Sequence, residues 1–168
     1  MVNAEPNYTI IIDTREQQPW SFKHHSVANR KLDTGDYSIE GFEDIFTIER
    51  KKSISEIANN IVESRFSNAL ERLGRCKYSF LLLEFNMDKV LSYPIGSSLP
   101  KRLWDKSRIT PNFLLKNILD WNIKYGINVM FCGSSSNAEQ IAEYIFRRVF
   151  YLEHNLKNNN DKETENGT

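Results

Sequence analysis

Ile45-Phe46-Thr47-Ile48-Glu49-Arg50-Lys51, reached from Gly35-Asp36-Tyr37-Ser38-Ile39 through a turn at Glu40-Gly41, is the stretch on which the fold turns. Side chains alternate across a strand, so Phe46 and Ile48 share one face while Ile45, Thr47, Glu49 and Lys51 share the other. Two such runs joined by a short turn read as a hairpin, which brings Asp36 beside Glu49. Arg50 points to the side opposite Glu49. Two carboxylates next to an ammonium form a set that can hold a hard divalent cation and steer a water molecule.

Upstream, Tyr8-Thr9-Ile10-Ile11-Ile12 is short, β-branched and apolar throughout, the pattern of a strand buried on both faces. It ends abruptly in Asp13-Thr14-Arg15-Glu16, and α/β folds tend to place their sites at such strand ends. The same residues could equally cap the strand and pair with one another. Residues 17–27, with Pro19, Trp20 and Phe22, read as a loop that inserts part of itself into the body, and His24 and His25 as surface residues. Arg30 to Leu32 could pair briefly with the segment C-terminal to it.

Downstream, Ser53-Ile54-Ser55-Glu56 matches a capping box, with the serine hydroxyl accepting from the Glu56 amide and the glutamate returning to the Ser53 amide. One helix is expected from there to Gly74, with Ile54, Ile57, Ile61, Leu70 and Leu73 as its apolar stripe. Its first turns should border the Glu49-Lys51 strand, within reach for Arg65 to meet a phosphate. Tyr78 to Phe85 is the strongest buried strand, with Glu84 as its odd residue. Residues 86–109 hold no period; Lys101, Arg102, Lys106 and Arg108 gather there around Trp104, a composition that can track a nucleic-acid backbone. Thr110-Pro111 opens a helix that Gly126 stops, and Ile127 to Cys132 is the last strand. In the final helix Ala138, Ile141, Ala142, Ile145, Val149 and Leu152 make the core stripe. Tyr144, Phe146, Phe150 and Tyr151 then form an aromatic far side, read as a surface for a second copy.

The chain has 168 residues, 40% of them hydrophobic, enough for one domain with a sizeable core. Lys+Arg and Asp+Glu are both 22, so nucleic-acid affinity must come from local patches or a bound cation, not from bulk charge. Cys76 and Cys132 stand alone, which argues against a zinc site or a disulfide framework and for a reducing compartment. The longest apolar stretch is too short to span a bilayer. Residues 1–7 are expected as a loose lead-in, 8–154 as the folded domain, and the polar segment 155–168 as a disordered tail.

Taken in order, Asp13-Thr14-Arg15-Glu16, Gly35-Asp36-Tyr37 and Glu49-Arg50-Lys51 resemble the motifs of the ERCC4-type nuclease domain, the XPF/Mus81/Hef family. Arg65, Leu83-Glu84, Thr110-Pro111-Asn112 and Ala138-Glu139 extend the likeness over roughly residues 8–152. The resemblance implies a restriction-endonuclease-like α/β fold: a small mixed sheet from strands near 8, 36, 45, 78 and 127, flanked by helices near 54, 112 and 137. It implies Mg2+ or Mn2+ on Asp36 and Glu49, with Asp13 and Glu16 completing the acidic cluster or holding a second ion. Lys51 would orient the water or stabilise charge, with Arg15 and Arg50 as braces. Arg65, Lys101 and Arg102 are the expected DNA contacts. The family's closing aspartate falls on Ser55 here, and Glu56 is the neighbouring acid that could stand in for it. The implied activity is endonucleolytic cleavage of flap, fork or junction DNA in repair or recombination. The implied form is a homodimer, in the cytoplasm of a bacterial, archaeal or phage-infected cell, or in a eukaryotic nucleus. The alternative is a catalytically inactive DNA-binding or partner subunit.

Overall fold

The computed structural model describes residues 7–165, with side chains as far as residue 156. The strands are β1 (Thr9–Asp13), β2 (Ser26–Arg30), β3 (Tyr37–Ile39), β4 (Phe46–Lys51), β5 (Tyr78–Leu83) and β6 (Asn128–Phe131). The helices are α1 (Ile54–Asn60), α2 (Ser64–Leu73), α3 (Met87–Leu91), α4 (Pro111–Tyr125) and α5 (Ser135–Glu165), with a 3-10 turn at Lys101–Lys106. One mixed sheet has the order β2-β1-β3-β4-β5-β6, which seats β4 in the interior between an antiparallel and a parallel neighbour.

The hairpin forms where the alternation puts it, with Tyr37 opposite Ile48. Phe46 and Ile48 face a layer containing Tyr8, Ile10, Tyr37 and, from α5, Ala142 and Phe146. Leu81 and Leu83 of β5 face the other way, against Ile57, Phe66, Leu70, Leu114 and Trp121. Helices therefore cover both faces of the sheet, each fully buried side chain contributing roughly 1.5–3 kcal/mol. Trp20 and Phe22 do plug into the core from the loop after β1, and Phe22 takes a positive φ of 41° to do so. In α4 the Thr110 hydroxyl accepts from the Phe113 amide, and Gly126 ends the helix in the left-handed region.

Local expectations need correction at several points. The chain after Val27 does not pair forward: Ser26–Arg30 runs parallel to β1 as an edge strand. Its residues are mostly exposed, so they carry no buried alternation to read. The single helix over 53–74 is two, broken at residues 61–63. Ile57 and Phe66 would lie about half a turn out of phase on one straight helix at roughly 100° per residue, and the break lets both reach the core. The Glu56 carboxylate returns to the Lys52 amide at 2.8 Å rather than to that of Ser53. On α5 the aromatic side is not a free face: Phe146 is fully buried and Phe150 packs on Tyr8 and Phe42, leaving Tyr144 exposed and Tyr151 marginally so. α5 also continues to Glu165, past the position where order was expected to end, because extending an existing helix needs no new nucleus. The remainder of the expected tail, residues 166–168, and lead-in residues 1–6 lie outside the described residues.

Candidate active site

Glycine at position 35 is dictated by space and by backbone. Its φ is +76°, and a Cβ there would overlap the Thr47 hydroxyl and sit 3.0 Å from the Ile48 carbonyl. That close approach lets the Asp36 amide donate to the Ile48 carbonyl at 2.8 Å, while the Asp36 carbonyl accepts from the Asp13 amide at 2.8 Å. The Asp36 side chain then takes over where the backbone pairing stops: its Oδ2 accepts from the Arg50 amide at 2.7 Å. Asp36 is thereby fixed to the ends of both β1 and β4.

Asp36 and Glu49 meet in a cleft of about 280 Å³, lined also by Asp13, Arg15, Glu16, Asp33, Lys51, Arg65, Ala69 and Arg72. Burial, and then the nearby charge of Glu49, push the Asp36 carboxyl well above the usual range. Lys51 Nζ donates to Glu49 Oε1 at 2.6 Å and lies 3.4 Å from Glu56 Oε1. Burial alone would lower the Lys51 pKa, but Glu49, through its charge and hydrogen bond, and Glu56 more than offset that, so the ammonium stays protonated. Asp36 Oδ1 and Glu49 Oε2 receive no hydrogen bond among the described residues. Two carboxylates each keeping one oxygen open, in a shared recess that disfavours paired negative charge, fit a divalent cation. Among the described residues no three His, Cys, Asp or Glu side chains form a ready metal cage, so water would have to complete any coordination shell.

Asp13 reaches the cleft with its acceptors already occupied. Oδ1 accepts from the Arg15 amide and Nε at 2.8 and 2.7 Å, and Oδ2 accepts from Arg15 Nη2 and the Leu32 amide at 3.0 and 2.6 Å. Its carboxyl is pushed up by burial, but these bonds prevail and hold it below the usual range. Of the two readings of this strand end, the capping one describes Asp13 and Arg15. Glu16 instead accepts from the Gln18 amide at 2.8 Å and from Lys52 Nζ at 3.1 Å. With Glu56 it lines a second recess of about 360 Å³ that adjoins the first through Arg15, Glu16, Asp36 and Lys51. Ser55 is elsewhere, its hydroxyl accepting from the Ser98 amide at 2.7 Å.

Behind β4, Arg50 is buried and fully engaged. It donates to Glu84 Oε1 at 2.7 Å, the Gln18 carbonyl at 2.6 Å and Ser135 Oγ at 3.2 Å, and lies 4.8 Å from the Trp20 ring. Glu84 also accepts from Trp20 Nε1 at 2.9 Å. This explains the odd acid in the β5 run, whose partner no local pattern reveals. Burial raises the Glu84 carboxyl, but the bonds from Arg50, Trp20 and Ser135 outweigh it and hold it below the usual range. Arg65 is on the cleft wall, bonded to Glu63 at 3.3 Å. Lys101 and Arg102 line neither recess. Arg72, which the motifs do not single out, also lines the cleft; its spacing of seven from Arg65 is the signal that could have found it.

A six-stranded mixed sheet with helices on both faces, and acids gathered where β3 meets the end of β4, defines a restriction-endonuclease-like fold. The chain belongs to the ERCC4 domain family, a DNA nuclease family, whose profile matches residues 12–147. XPF from Aeropyrum pernix shares the fold at a TM-score of 0.61 and 20% identity, covering 82% of this chain and 64% of that one. XPF from Aeropyrum pernix in complex with DNA does so at 0.61 and 18%, covering 88% and 66%. The chain thus spans about two thirds of the length of these solved chains. No curated protein matches it in sequence. Among the described residues no helix is long and apolar enough to cross a membrane.

Proposed function

We propose that this chain is a divalent-metal-dependent DNA endonuclease, selective for flap, fork or junction structures and acting in repair or recombination, with residues 8–154 as the nuclease unit. The observation that carries the reading is the pair of open carboxylate oxygens on Asp36 and Glu49 in one cleft beside a protonated Lys51. Mg2+ or Mn2+, when bound, would activate water and offset charge on the phosphate. Asp36 and Glu49 are the residues that would hold it; Asp13, tied up by Arg15 and Leu32, works instead by fixing the end of β1. Lys51, its ammonium favoured by Glu49 and Glu56 against the effect of burial, donates to a phosphate oxygen and stabilises charge building there. Glu16 and Glu56 stand at the cleft's other end, where Glu56 holds Lys51 in place. Arg50 positions Glu49 and Lys51 from behind their strand.

DNA as the substrate is supported by the family and by the XPF chain solved with DNA. Arg65 at the cleft, and Lys101 and Arg102 on the exposed 3-10 turn, are the proposed backbone contacts. A homodimer is the proposed assembly, supported by an apolar groove of about 470 Å³ where Phe80 and Met130 meet Ile141, Tyr144, Ile145 and Leu152. A monomeric mass by light scattering at micromolar concentration would count against it. The central test is a cleavage panel of single-stranded, duplex, flap, junction and RNA substrates, with Mg2+ and with EDTA. Cutting of branched DNA only with Mg2+ is expected. Cutting that persists in EDTA, or none on any DNA, would refute the reading.

A further inference from the structure

The wall of the cleft facing Asp36 and Glu49 is one face of α2. Arg65, Ala69 and Arg72 recur there at helical spacing, and all three line the cleft. Two guanidinium-bearing positions flank an alanine whose methyl group leaves room between them. Of the three arginines on this cleft, Arg15 is bound to Asp13 and Arg65 to Glu63, whereas Arg72 has no salt bridge among the described residues. An exposed guanidinium left unpaired over an acidic cleft is available for an anion.

The position of Arg72 gives that anion a direction. Three concavities adjoin one another: the recess at Glu56, the central cleft, and a third lined by Asp33, Thr34, Glu43, Asp44, Arg72 and Arg75. Arg72 belongs to both the central and the third, so it marks the end of the central cleft away from Glu56. Past it, the third recess mixes the acids Glu43 and Asp44 with Arg75. None of the residues lining the central cleft is aromatic, so bases have nothing to stack on and any grip falls on the sugar-phosphate backbone.

We propose that Arg72, together with Arg65, forms a two-arginine clamp on α2 that holds two phosphates a few nucleotides apart on the strand being cut, independently of its sequence. Seven helical residues rise about 10 Å, a span of a few nucleotides at roughly 3.4 Å each. The clamp rests on the nuclease reading and adds a residue to it.

The test separates the two. In a Glu49→Gln background, which keeps the DNA uncut, binding of a fluorescent flap duplex is followed between about 50 and 200 mM salt. Arg72→Gln is expected to weaken binding several-fold and to reduce the slope of log K against log salt by about 0.7–0.9, the loss of one phosphate contact. Arg72→Lys restores the slope, because a point charge suffices. Lys116→Gln, on the exposed surface of α4, leaves it unchanged. With Glu49 intact and Mg2+ present, Arg72→Gln raises KM while kcat stays within about twofold. An unchanged slope and KM in Arg72→Gln, with the parent protein binding and cutting, overturns the clamp and leaves the nuclease reading standing. A parent protein that neither binds nor cuts DNA overturns both.

Discussion

The two faces of β4 use adjacent residues for opposite ends. On one face Glu49 and Lys51 look into an open cleft, where two carboxylate oxygens receive no hydrogen bond from the described residues. On the other, Arg50 is buried against Glu84, the Gln18 carbonyl, Ser135 and the Trp20 ring, its guanidinium donating to the first three. The same alternation that makes a strand thus separates a group of charges held ready for a ligand from a group satisfied within the protein. On the proposed reading chemistry depends on the first, and the stability of the strand depends on the second.

The difference between the faces is widest at the carboxylates. Asp36→Asn or Glu49→Gln should lower cleavage by about a thousandfold, some 4 kcal/mol of transition-state stabilisation, with the unfolding midpoint little changed. Strong activity in both variants would mean that the open oxygens are not where the reaction is run. The buried face should show the reverse. Glu84→Ala leaves Arg50 buried without its carboxylate and should cost about 3 kcal/mol in urea unfolding. The sign of the pH effect comes from the same pair. The Glu84 carboxyl is held below its ordinary range in the folded state, so its contribution is present above the unfolded pKa and fades as pH falls through the folded one. The stability of Glu84→Gln should therefore decline less on acidification than that of the parent. An identical acid profile would remove Glu84 from the account.

A smaller effect divides the open face itself. Lys51→Ala should reduce turnover by about a hundredfold, some 2.7 kcal/mol, while DNA affinity falls far less. Parallel cleavage and gel-shift assays separate these, and an equal loss in both would make Lys51 a binding group only.

Legibility in the sequence followed the range of the interaction. The period of two along Phe46–Lys51 gave the hairpin and assigned Glu49, Arg50 and Lys51 to their faces, because side-chain direction in a strand needs no partner to be known. Ser53, Thr110 and Gly126 announced helix ends because caps act within a few residues. Hidden were features set across the fold. Ser26–Arg30 owes its strand to β1, not to its own exposed residues. The break before α2 answers a core that only the assembled sheet defines. Asp13 belongs to the motif in sequence, yet the amide that completes its set of donors comes from Leu32, which spacing cannot foresee. Glu84 stood out as odd, but Arg50 and Trp20 lie too far along the chain to be read from it.

The hydrogen bond from the Arg50 amide to Asp36 Oδ2 has a bearing on which residues position 36 tolerates. The β3–β4 ladder is finished there by a side chain, so the backbone requires an acceptor of that length whatever the site requires. Alanine, leucine or lysine would fail both demands together, and a loss of activity in any of them would be ambiguous. Asparagine keeps the acceptor and gives up the charge. It is the one replacement that separates what the sheet asks of this residue from what the reaction asks of it.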